Sequence, residues 1–146
     1  MKMTNEEYQE FIKGKAPGSP VVKDMLKAFL VGGLICCVGQ GLHDAYTILA
    51  GLDEETAASA VSITLIFLSA LLTGLNVYDK LARFAGAGTL VPITGFANAV
   101  VSPALEFKTE GFVLGTAAKM FTIAGPVIAF GLSASVIYGL VLCLIG

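Results

Sequence analysis

The run from Ala57 to Tyr78, AASAVSITLIFLSALLTGLNVY, holds 22 residues without one charge or proline. As a helix it would extend roughly 33 Å, enough to cross the ~30 Å hydrocarbon core of a bilayer. Acidic residues stand before it, at Asp53, Glu54 and Glu55, and Asp79, Lys80 and Arg83 follow it. This is the clearest span in the chain.

The neighbouring sequence extends the pattern in both directions. Upstream, Met25 to Ala50 carries only Lys27 and Asp44 as formal charges, and it predicts a first transmembrane helix. Downstream, residues 120–145 are wholly uncharged and long enough to span with tilt. Between them, 84–105 is also uncharged, but it is broken by Gly86, Gly88, Pro92, Gly95 and Pro103 and dotted with Thr89, Thr94, Asn98 and Ser102. Irregular backbone at membrane depth persists only where protein or a water-filled cavity covers it. The fold class is therefore an all-α integral membrane protein, with three to four transmembrane helices plus a Gly/Pro-broken segment that either spans or re-enters.

Composition agrees. Of 146 residues, 55% are hydrophobic and only 14% charged, with a mean hydropathy of +0.81, whereas about 25% charged residues is usual in soluble domains. The net charge of −2 supplies no basic field for nucleic acid. Cys36, Cys37 and Cys143 fall in apolar runs and read as small hydrophobic filler, with no Cys/His spacing for zinc and no cofactor motif.

Residues 1–24 read as a cytoplasmic lead ahead of a transmembrane domain at 25–146. Glu6, Glu7 and Glu10 do not suit the basic start of a signal peptide, so the first apolar run is expected to stay as an anchor. Thr4 and Glu7 fit a capping box. Tyr8, Phe11 and Ile12 share a helical face, for the membrane surface, a partner or the protein's own body, and the Ala16-Pro17-Gly18-Ser19-Pro20 run ends that helix.

Lysines 2, 13, 15, 23 and 27 precede the first helix and put the N-terminus inside. Two topologies follow. If 84–105 spans, Lys108 and Lys119 lie outside and the C-terminus inside. If it dips in and returns, all nine basic residues lie inside and the C-terminus outside. Charge favours the second and segment length the first.

Two groups of polar residues are candidates for function. Thr89, Thr94, Asn98 and Ser102 coincide with the glycines and prolines and would line a polar path; the plainer reading is hydrogen-bonding glue between helices. Gln40, His43 and Asp44 share a face of the first helix. They form either a polar membrane face or simply a solvated end near the outer headgroups. His43 is the only histidine and no activated nucleophile is visible, so an enzyme is not expected. Small residues recur every four positions at Gly95/Ala99, Gly111/Gly115 and Gly131/Ser135/Gly139, a spacing that lets helices approach closely. Pro92–Phe96 and Pro126–Phe130 echo each other, either as the remnant of a repeat or by chance in an apolar chain.

Several blocks resemble the stage V sporulation protein AC family. They are Ala16-Pro17, Ser19 to Lys23, Lys27 to Gly33, Val38-Gly39-Gln40, the long Gly86–Asn98 stretch, and Lys119–Ile128. The related AEb protein shares the central and final blocks but tends to lack the N-terminal lead. The resemblance implies a multi-pass protein of the forespore and spore inner membrane. It would work with other products of its operon, AEb in the membrane and the soluble AD, to move dipicolinic acid with calcium into the spore and out on germination. It implies no catalytic residue. A roughly neutral calcium–dipicolinate pair suits a path of hydroxyl, amide and backbone groups, and so few spans require an oligomer or a membrane partner. The alternatives are a non-conducting scaffold that recruits soluble partners through residues 1–24, and a tension-gated channel of low selectivity.

Overall fold

The computed structural model describes residues 4–15 and 20–145, with the backbone alone at 13–15. The described chain is helical. Helix α1, Asn5–Lys15, opens on the expected capping box. The Thr4 amide donates to Glu7 Oε2 at 2.9 Å and the Glu7 amide to Thr4 Oγ1 at 3.4 Å. Hydrogen bonding by Thr4, its amide first and then its side chain, holds the Glu7 carboxyl below its ordinary pKa. The expected break at Ala16–Ser19 lies outside the described residues.

Helix α2, Val21–Ile48, starts four residues before the expected Met25, because Pro20 caps it and cannot itself continue a helix backwards. It ends at Ile48, and Gly51 turns the chain with φ +65°. Helix α3 runs Glu54–Gly74, capped by Asp53, whose Oδ2 accepts the Thr56 amide at 3.1 Å. The Thr56 hydroxyl and then its amide lower the Asp53 pKa. The expected end at Tyr78 is corrected. Asn76, at φ +56°, turns the chain, and Tyr78 begins a separate short helix, α4, Tyr78–Ala85.

The Gly/Pro-rich segment does not form one straight helix. Gly86 separates α4 from the four-residue α5, Ala87–Leu90; Pro92 separates α5 from α6, Ile93–Glu106. At 14 residues α6 is about 21 Å long, short of a bilayer core. A 3-10 turn at Lys108–Glu110 and a π-helical run at Phe112–Ala117 lead into α7, Ala118–Ile145. Glu54–Gly74 and Phe112–Ile145 are both long and apolar enough to cross a membrane.

Helices α3 and α6 pack along each other, and they run in the same direction. Ser69 bonds to Thr94 and Thr73 to Asn98, each pair 25 positions apart with both numbers rising together. Beyond them Asn76 and Asp79 share a recess with Ser102 and Glu106. Residues 78–106 therefore make a hairpin. The chain leaves the end of α3, runs through α4 from the middle of α2 to its start, rises along α2 through α5, turns at Val91-Pro92, and comes back along α3 to the side it left. The apex lies beside Gly33 and Cys36, midway along α2.

The interior is the reverse of a soluble core. The buried apolar side chains are Ala57, Ala85, Ala97, Ala104 and Tyr78, and the fully buried side chains of greatest volume are Thr89 and Ser69. Among the described residues no leucine, isoleucine, valine or phenylalanine is buried and most are exposed, and every residue of α7 from Pro126 to Ile145 is exposed. Lipid gives no reward for hiding a leucine, so helices associate through small side chains that allow close packing and through hydrogen bonds.

The tightest contacts follow that rule. A Cβ on Gly88 would run into the backbone of Ala28 in α2, and one on Gly95 into the carbonyls of Thr89 and Leu90 across the apex. Gly95 thus serves the hairpin itself, and Gly115 packs against Phe107. Gly131 and Gly139 touch nothing within 4 Å, so the stripe on α7 makes no packing contact within the described chain. Pro92 and Pro126 also sit differently, one before α6 and one inside α7, so their echo marks no structural repeat.

Gly88→Ala should lower the unfolding midpoint in detergent, at a cost of about 1–3 kcal/mol from overpacking. Gly33→Ala, whose added methyl meets open space, should stay within about 0.5 kcal/mol of wild type. Equal effects in parallel thermal melts would refute the close helix crossing.

Candidate functional site: a hydroxyl seam between two helices

The polar residues of α3 and α6 form one connected seam. Thr94, Asn98 and Ser102 recur every four residues, so they share one face of α6. That face is turned onto α3. Ser69 Oγ donates to the Thr94 carbonyl at 2.6 Å. Thr73 Oγ1 lies 2.7 Å from the Ser69 carbonyl and 2.8 Å from the Asn98 side-chain amide. A hydroxyl has one proton and cannot donate to both. The arrangement closes when Thr73 donates to Ser69 and Asn98 turns its NH2 towards Thr73.

Tyr78 completes the seam at the apex. Its phenol oxygen is 2.9 Å from the Thr89 carbonyl and 2.9 Å from Thr94 Oγ1. The carbonyl only accepts, so the phenol donates to Thr89 and the Thr94 hydroxyl donates to the phenol. The Thr89 carbonyl ends a four-residue helix and accepts no backbone N–H among the described residues. A side chain from α4 thus satisfies a group that the helix break leaves without a partner. Thr89 itself is fully buried, and its hydroxyl donates to Gly86 at 3.0 Å. No buried side-chain polar atom among the described residues lacks a hydrogen bond.

Among the four path candidates, the structure therefore places Thr89 and Thr94 inside the hairpin, Asn98 half-buried on the seam, and Ser102 at its lower end. There the seam opens into a recess of about 280 Å³ lined by Thr73, Asn76, Asp79, Ser102, Leu105 and Glu106. Tyr78, Ser69 and Thr73 are the members that the sequence did not single out. Ser69 and Thr73, four apart, were visible as a polar pair on α3. Nothing local marked Tyr78, because its partners lie 11 and 16 residues away.

Gln40, His43 and Asp44 do come together, on the distal half of α2. Gln40 Nε2 donates to Asp44 Oδ1 at 2.8 Å, and His43 Nδ1 stands 4.0 Å from the same oxygen. His43 is half-buried, whereas Gln40 and Asp44 are exposed. A step further on, Tyr46 and Thr64 oxygens lie 2.8 Å apart, joining α2 to α3. Thr64 gives its proton to the Ala60 carbonyl, so Tyr46 is the donor.

An apolar exterior around a hydroxyl-lined interior defines the class: a helical protein solvated by lipid. The comparisons agree. Residues 24–141 match the family described as SpoVAC/SpoVAEB sporulation membrane protein. Stage V sporulation protein AC of Bacillus subtilis (strain 168) is 51% identical over 141 residues, covering 95% of this chain and 94% of that protein. This chain belongs to the SpoVAC/SpoVAEB sporulation membrane protein family. No solved structure matches it.

Tyr78→Phe should cost about 1–3 kcal/mol, because it leaves the buried Thr89 carbonyl unbonded. Tyr46→Phe should cost less, about 0.5–1.5 kcal/mol, since it removes one partly exposed bond between two hydroxyls. Unfolding midpoints of the two variants in the same detergent compare them directly; the reverse order would contradict the seam's role.

Proposed function

We propose that this chain is a channel subunit that passes dipicolinic acid, with calcium, across the spore inner membrane during sporulation and germination. The observation that carries this reading is the hydroxyl and amide seam, which runs from the hairpin apex to an open polar recess. Membership of a sporulation membrane protein family adds to it, and the dipicolinate cargo rests on the resemblance described above.

In the proposed topology α2 crosses from inside to outside, α3 returns, 78–106 re-enters from the inside, and α7 crosses again. Three spans and one hairpin result. The support is the parallel pairing of α3 and α6, which brings Asp79 and Glu106 to one recess. All nine basic residues then lie inside, as the positive-inside rule favours.

The seam describes a closed state. Thr94 and Asn98 face α3 and bond within the chain, and Ser102 lines the recess at the seam's lower end. Separation of α6 from α3 would free Ser69, Thr73, Thr94 and Asn98 to bond a planar solute, and would draw Thr89 and Ser102 into the same path. Each bond broken is replaced by one to solute or water, so the exchange is nearly even in hydrogen-bond energy. No fixed charge lines the seam proper, which suits a neutral calcium–dipicolinate pair. Gln40, His43 and Asp44 form a polar face towards the outer leaflet, covered by a neighbouring subunit or by headgroups. A pore of useful width needs several copies, or AEb beside this chain, with AD as the soluble partner.

Thr94→Leu with Asn98→Leu should reduce dipicolinate accumulation in sporulating cells several-fold at unchanged protein level. Normal accumulation would count against the seam as the path. Liposomes holding the purified chain with AEb should release dipicolinate; a scaffold would give none, and a tension-gated pore would pass unrelated solutes equally well under suction.

Lys108→Cys, in a chain without its three native cysteines, should react with a membrane-impermeant maleimide from the inner side only. Labelling from the outer side would mean that residues 84–105 span.

A further inference from the structure

A second feature lies away from the seam, where the start of α2 meets the α4–α5 break. Val21, Met25, Ala28, Phe84, Ala85 and Ala87 wall a cleft of about 480 Å³, with Asp24 and Arg83 among its lining. Its walls are apolar, whereas its charges are few and unevenly matched. Asp24 Oδ1 lies 3.9 Å from Lys27 Nζ, an exposed pair in which the two charges offset each other. Lys27 Nζ also stands 5.2 Å from the centre of the Phe84 ring, which ties it to the cleft wall. Arg83 is exposed and has no ion-pair, hydrogen-bond or ring partner among the described residues. Lys80, three residues before it, shares its face of α4, and Lys23 precedes Asp24 on α2.

We propose that this cleft is a binding site for one anionic phospholipid, its phosphate on the Arg83 guanidinium and its acyl chain along Met25, Ala28, Phe84 and Ala87. Charge complementarity selects the occupant. With Asp24 offset by Lys27, the rim keeps the positive charge of Arg83, and a guanidinium presents a planar fork that matches phosphate oxygens. The apolar walls select a lipid over a free anion, because a small ion would leave them uncovered. On the topology proposed above the cleft opens beside the inner leaflet, and a basic pocket between helices there is the setting in which lipid headgroups are recognised. The bound lipid would fill the gap between α2 and α4 and so brace the hairpin at its root.

Native mass spectrometry of the full chain, released from mild-detergent micelles doped with phosphatidylglycerol or phosphatidylcholine, tests this. Wild type should retain phosphatidylglycerol preferentially, and Arg83→Gln should lose that preference by roughly fivefold. Arg83→Lys should keep most of it, and Lys108→Gln, outside the cleft, all of it. Ala87→Phe, which fills the cleft, should reduce retention of both lipids. Equal retention of both lipids by wild type, or an unchanged preference in Arg83→Gln with its fold verified by circular dichroism, would overturn the proposal. Displacement of phosphatidylglycerol by millimolar inorganic phosphate would overturn it too, in favour of a free-anion site.

Discussion

Hydrocarbon offers no hydrogen bonds, and the rest of this structure depends on that constraint. A helix broken twice within seven residues, at Gly86 and again at Val91-Pro92, strands carbonyls that water would otherwise satisfy. The Tyr78 phenol serves the Thr89 carbonyl, and the Ser69 hydroxyl adds a bond to the Thr94 carbonyl that ties α3 to α6. These side chains do what a bilayer cannot, so the broken segment can be held between α2 and α3 without an orphaned buried polar side chain. A comparable break in a soluble protein could simply face solvent.

The same constraint explains why the interior is small. With no advantage in hiding large apolar groups, the chain spends its interior positions on alanine, glycine, serine and threonine, which bring backbones close enough for those bonds to form. Gly88 against Ala28 sets the separation of α5 from α2, and Gly95 against Thr89 and Leu90 sets the width of the apex. Packing and hydrogen bonding are therefore two aspects of one design: the distance that the glycines permit is the distance that the hydroxyls require.

Much of this was legible in the sequence, and the limits have physical causes. The apolar run of α3 announced a membrane-length helix, although its end was misplaced, because an uncharged run does not reveal the turn that Asn76 makes inside it. Glycines and prolines announced breaks between 84 and 105, and the capping box at Thr4 and Glu7 was readable from spacing alone. The i, i+4 recurrence of Thr94, Asn98 and Ser102 showed that they share a face. Which way that face points is a matter of tertiary pairing, and the structure turns it onto α3. Tyr78 carried no signal, since an aromatic residue at the edge of an apolar run reads as an interfacial anchor. The short length of α6 was hidden too, because 22 uncharged residues look like a span until the breaks within them are placed.

The brevity of the hairpin's limbs has a consequence for biogenesis. Four residues in α5 and fourteen in α6, with Pro103 inside the latter, are too short to cross a bilayer core as independent spans. On the re-entrant reading they can enter the bilayer only once α2 and α3 stand ready to receive them. The order of assembly is then written into the architecture: the outer helices are inserted during synthesis, and the hairpin folds up into the slot between them afterwards, as a tertiary event that no hydropathy threshold governs.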